Sequence, residues 1–135
     1  MTVTPIYAGL LALLYLALSA RVVQMRGKGM PSLGDGGIEA LQRRIRGHAN
    51  FAEYVPLLLL LMGILELGQL PAPWLHAIGA TLLVARLLHG YALSFSMYFK
   101  FGRFWGTLLT FVLLAACGVL CLCQAFAPFW LAPVA

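Results

Sequence analysis

The sequence predicts an all-α integral membrane protein built as a four-transmembrane-helix bundle, and three observations carry that reading. Of its 135 residues 62% are hydrophobic and only 10% are charged, with a mean hydropathy of +0.93, well outside the range of water-soluble domains. The apolar residues fall into four runs, each long enough to cross a hydrocarbon core of about 30 Å as a helix. Most of the nine Lys and Arg residues gather in short segments between those runs, as topology signals do, and form no extended basic patch interleaved with aromatics. The net charge of +5 is therefore no reason to expect a nucleic-acid partner.

The first helix is expected over about residues 3–25, closed by Arg21 and its neighbours, and lacks the basic start and small-residue cleavage pattern of a removed signal peptide. Arg26 to Gly37 holds five glycines and Pro31, enough to break any helix and form a basic loop. Helix two is expected over about residues 38–68, longer than a bilayer needs, so its first turns project beyond the hydrocarbon. Pro56 is tolerated within it, at the cost of a kink. The turn from Gln69 to Pro73 carries no Lys or Arg, and Trp74 suits the interface opposite the basic loop.

Helix three is expected over about residues 74–98, with Arg86 and His89 one turn apart, and helix four over about 103–127. Helix four ends at Pro128, with Phe126, Phe129 and Trp130 as interfacial aromatics. Lys100 and Arg103 make the last loop basic, so both basic loops belong on the cytoplasmic side and both termini on the other. Cys117, Cys121 and Cys123 share the last apolar run and read as structural thiols. With no CxxC pair, and with His48, His76 and His89 not at ligand spacing, no metal site is expected.

One stretch departs from the apolar pattern. At about 100° per residue, Arg43, Arg46, Asn50, Glu53 and Tyr54 fall within roughly a third of a turn, so one face of helix two carries cation, amide, carboxylate and phenol. Ionisable groups at membrane depth cost about 2.5–3.5 kcal/mol each, so such a column marks a polar site. An Arg46–Glu53 or Arg46–Asn50 bridge that merely locks helices together is the plainer reading of the same residues. Counting back across the Gln69–Pro73 turn sets Glu53 level with His89 and brings Arg86 within pairing reach of Glu53. Arg46, Asn50 and Arg103 would then remain as an excess of positive charge, which implies an anionic ligand.

Arg46-Gly-His-Ala-Asn50-Phe-Ala-Glu53-Tyr54-Val-Pro56, with four spans, a basic first loop and the Arg86-x-x-His89 pair, resembles the membrane-associated proteins in eicosanoid and glutathione metabolism, in their compact bacterial form. The resemblance implies a homotrimer in a bacterial inner membrane that binds glutathione as co-substrate between adjacent subunits. It places Arg46, Asn50, Glu53 and Tyr54 at the charged ends of the tripeptide, with Arg86, and takes Arg21 and His48 from the neighbouring chain. Arg103 corresponds to the arginine that stabilises the thiolate, which makes it the candidate catalytic residue. On helix three either His89 or Tyr91 occupies the ligand-facing position. Ala49 and Phe104 depart from the pattern of the prostaglandin synthase of that family, so its isomerase chemistry is not implied. The expected activity is that of a glutathione transferase or peroxidase acting on lipophilic electrophiles or lipid hydroperoxides from the bilayer. A non-catalytic lipid-binding scaffold and a small transporter with an intramembrane polar relay are the alternatives.

Overall fold

Pro5 sits in the first turn of α1 (Thr4–Arg26), where a residue without an N–H leaves no bond unmade. The computed structural model describes residues 1–131 apart from Lys28, Met30 and Met97, with the backbone alone over 127–131. α2 (Glu39–Leu67), α3 (Ala72–Ser94) and α4 (Lys100–Leu131) complete the chain. With 23 residues in each of α1 and α3, even the shortest helices reach about 34 Å, and all four are long and apolar enough to cross a membrane.

Contacts at the helix ends fix the topology. The Glu66 carboxylate near the end of α2 accepts the backbone N–H of Val3 and of Thr4, both at 2.8 Å, and also that of Thr2. It thereby satisfies amides that the start of α1 leaves without intrahelical partners. At the other end Arg44 donates to the Arg21 carbonyl at 2.9 Å, so α1 and α2 are antiparallel. Gln124 of α4 donates to the Gly68 carbonyl at 3.0 Å, next to a turn in which Gln69 takes a left-handed φ of 66°. The result is an up-down bundle in which α3 is the most enclosed helix and α1 and α4, among the described residues, do not touch.

Leu11 and Leu18 of α1, Leu58, Met62 and Leu65 of α2 and Leu82 of α3 are fully enclosed and form the core. α2 continues through Pro56, which sits on an exposed side of the helix. α3 stops at Ser94, short of the expected position 98, because the Phe95 and Ser96 N–H groups both turn back to the Tyr91 carbonyl, at 2.9 and 3.1 Å. α4 begins three residues before Arg103, and its backbone runs past Pro128 to Leu131 instead of stopping there. The Phe129 and Trp130 side chains lie outside the described residues.

Candidate functional site

Phe51, Val55, Leu58 and Met62, at i, i+4, i+7 and i+11, set the face of α2 that enters the core. Measured around the helix, Asn50 lies about 110° from the centre of that face and Glu53 about 170°. This difference decides where each goes. Asn50 reaches the α3 boundary, whereas Glu53 is exposed on the far side of α2 and has no partner among the described residues. Arg86 therefore does not pair with Glu53, contrary to the expectation from helix depth.

Arg86 is only 2% exposed, and its guanidinium ties three helices together. Nη1 donates to Asn50 Oδ1 of α2 at 2.9 Å, and Nη2 donates to the Gly106 carbonyl of α4 at 3.1 Å and to Thr110 Oγ1. Every acceptor is a neutral oxygen. α4 comes this close because position 106 is glycine: a Cβ there would meet the Ala85 carbonyl at 2.7 Å and His89 Cβ at 2.8 Å.

Beside this hub opens a cleft of 350 Å³. Glu39, Gln42, Arg43, Arg46 and Asn50 line it from α2, His89 and Leu93 from α3, and Arg103 and Thr107 from α4. Three guanidinium groups thus face a single carboxylate. Arg43 is partly committed, donating to the Ala92 and Ser96 carbonyls at 2.8 and 2.9 Å. The Arg46 and Arg103 side chains are exposed and bond no protein acceptor among the described residues, so their donors are open to solvent or to a ligand. Such a cleft can hold an anion through charge-assisted hydrogen bonds.

Four sequence-derived candidates, Arg46, Asn50, His89 and Arg103, meet in this cleft. Arg86 lies behind it and reaches it through Asn50. Of the two helix-three candidates, His89 is 5% exposed and lines the cleft, whereas Tyr91 is 54% exposed and stacks with Phe95 outside it, at 5.9 Å between centroids. Arg21 donates to the Ser94 carbonyl at 2.6 Å under Phe95, in a separate smaller cleft of 150 Å³. His48 stacks on Tyr15 of α1 at 4.7 Å, and Tyr54 packs near Phe111 of α4 at 5.8 Å. Within one subunit, then, Arg21, His48, Glu53, Tyr54 and Tyr91 do not join the cleft.

Sequence reasoning left out Glu39, Gln42 and Thr107 as site residues. Their signal was legible: Glu39, Gln42 and Arg43 precede Arg46 at helical spacing, and Thr107 follows Arg103 by one turn. Nothing in the sequence marks Thr110 as the acceptor for Arg86.

A MAPEG family model matches residues 4–123. The inner membrane protein YecN of Escherichia coli K12 is 36% identical over 96 residues, which cover 71% of this chain and 73% of that protein. YecN of E. coli O6:H1 matches to the same extent. No solved structure matches. With a family match across nearly all four helices and this identity over more than two thirds of its length, the chain belongs to the MAPEG family.

Proposed function

We propose that this protein binds glutathione in the cleft between α2, α3 and α4 and activates its thiol for transfer to lipophilic electrophiles or for reduction of lipid hydroperoxides. The observation that carries the reading is the charge of the cleft, where Arg43, Arg46 and Arg103 outnumber the single Glu39 carboxylate. Glutathione brings two carboxylates, one ammonium and a thiol, a net negative ligand matched to that imbalance. Asn50 adds neutral donors, and Arg103, which bonds no protein acceptor among the described residues, is the group to stand beside the sulfur. A free thiol ionises near pH 8.5, and a fixed guanidinium that lowers this by about two units supplies roughly 2.7 kcal/mol of thiolate stabilisation. An apolar cleft of 440 Å³ between α3 and α4, lined by Trp74, Ile78 and Leu113 among others, offers a lipophilic molecule a place to rest.

The working unit is a homotrimer in a bacterial inner membrane, with both basic loops cytoplasmic. Glu53, a carboxylate exposed on a membrane-spanning helix, supports this assembly, because leaving it against lipid costs several kcal/mol and a neighbouring subunit removes that exposure. Arg21 and His48 lie outside their own subunit's cleft, Arg21 bonded to the Ser94 carbonyl and His48 stacked on Tyr15, so a role for them in binding requires a neighbour's cleft. A buried relay for transport has less support, since every hydrogen bond that Arg86 makes among the described residues goes to a neutral oxygen.

The test is calorimetry of purified protein with glutathione, followed by glutathione-dependent consumption of a chromogenic electrophile. Saturable binding with turnover is the expected result. Binding without turnover would assign a non-catalytic role, and no binding would overturn the proposal.

A further inference from the structure

Asn50 presents two different edges, a carbonyl oxygen that accepts and an amide nitrogen that donates. For an anionic ligand only the donor edge is useful, and nothing on α2 itself selects it. Arg86 does, because a guanidinium has only donors, so the oxygen 2.9 Å from Nη1 must be the acceptor and the amide hydrogens are turned away from Arg86. What holds Arg86 in turn is α4. The Thr110 hydroxyl donates to the Gly106 carbonyl at 2.7 Å, which orients its proton away and aims a lone pair at Arg86 Nη2. Thr110 is 1% exposed, so no water replaces it.

We propose that Thr110 is a positioning residue: acting through Arg86, it fixes the Asn50 carboxamide with its hydrogens towards the cleft and so sets the cleft's preference for carboxylate-bearing ligands. The link to glutathione rests on the function proposed above, but the geometric relay does not. Thr110→Val keeps the shape and removes the acceptor, leaving Nη2 with the Gly106 carbonyl alone, while Thr110→Ser keeps the hydroxyl.

Asn50 is the sole asparagine in the chain, so selective 15N-asparagine labelling of the full-length protein gives one side-chain amide pair. Without ligand, Thr110→Val should shift that pair and speed its hydrogen exchange several-fold, while Thr110→Ser keeps it near the wild-type position. Thr110→Ala serves in the same way should the valine variant not fold. An unchanged pair in the folded Val or Ala variant would overturn the proposal. Calorimetry with glutathione is the second arm: Thr110→Val should weaken binding about tenfold in the wild-type background and not further in Asn50→Ala. Equal losses in both backgrounds would show a merely structural residue and sink the relay. Wild-type protein that binds no glutathione would reject the glutathione reading, while the amide spectrum still decides the role of Thr110.

Discussion

Replacing Arg86 by methionine separates what the hub contributes to stability from what it contributes to the cleft. The side chain is 2% exposed, carries a full charge and, among the described residues, hydrogen-bonds three neutral oxygens. When it is removed, the Thr110 hydroxyl and the Gly106 carbonyl still bond each other at 2.7 Å, and the half-buried Asn50 borders a cleft that water can enter. About one buried acceptor is then left weakened, costing roughly 1–3 kcal/mol. Against this, substituting an apolar side chain for buried ionic groups often returns about 1–4 kcal/mol, and methionine adapts to the space. The two terms nearly cancel, so the unfolding midpoint of Arg86→Met in detergent micelles should stay within several degrees of wild type. Glutathione affinity should nonetheless fall about tenfold or more, roughly 1.4 kcal/mol, because the Asn50 carboxamide is free to turn its oxygen to the ligand. Thermal unfolding by circular dichroism and calorimetry on the same preparations give both quantities. A large drop in the midpoint with unchanged affinity in the folded fraction would refute the reasoning and leave Arg86 as a strut.

Arg103→Leu should leave glutathione affinity within about tenfold while raising the pKa of the bound thiol, and Arg103→Lys should keep part of the effect because the charge survives without the planar fork. Ultraviolet thiolate absorbance titrated against pH checks this, and an unchanged curve in folded Arg103→Leu would move the activating role towards His89. Arg46→Ala should weaken glutathione binding by about 1.5–3 kcal/mol, whereas Glu53→Gln should weaken it only in the assembled oligomer, where a neighbour closes that face. Equal affinity of wild-type and Glu53→Gln oligomers would remove Glu53 from the site. Gly106→Ala should destabilise the fold by about 1–3 kcal/mol, since its Cβ meets α3 backbone, while Gly118→Ala, with nothing within 4 Å, should be neutral or stabilising. Chemical or thermal unfolding of the pair decides that comparison.

How much of this was legible in the sequence depended on the range of the interaction. Each helix announces itself locally, through apolar runs that only a membrane tolerates and through glycines and prolines at the breaks. The α2 face was legible too, because the positions of Arg46 and Asn50 follow from 100° per residue alone. The partner of Arg86 was not. Depth counting placed Glu53 and Arg86 at similar levels, but depth says nothing about rotation, and the rotation of α2 is set by Phe51, Val55, Leu58 and Met62 entering the core. Their combined burial outweighs a single ion pair, and it turns Glu53 outward. The choice between His89 and Tyr91 needed the same information, since the two lie about 160° apart around α3 and only packing tells which side is inside.

That rotation also bears on what the cleft can do. Had Glu53 turned inward to neutralise Arg86, the pair would have formed a closed ionic lock with little field left for a ligand. Neutral oxygens hold the guanidinium in place without cancelling its charge, and Asn50 passes its orientation to the surface of the cleft. Burial of an uncompensated cation is costly, and three helices share that cost through contacts that only Gly106 allows α4 to make. A ligand bearing carboxylates is the natural counter-charge for such an arrangement. It follows that a bound anion should stabilise this protein by more than its local contacts suggest, because it offsets a buried cation whose protein acceptors, among the described residues, are all neutral.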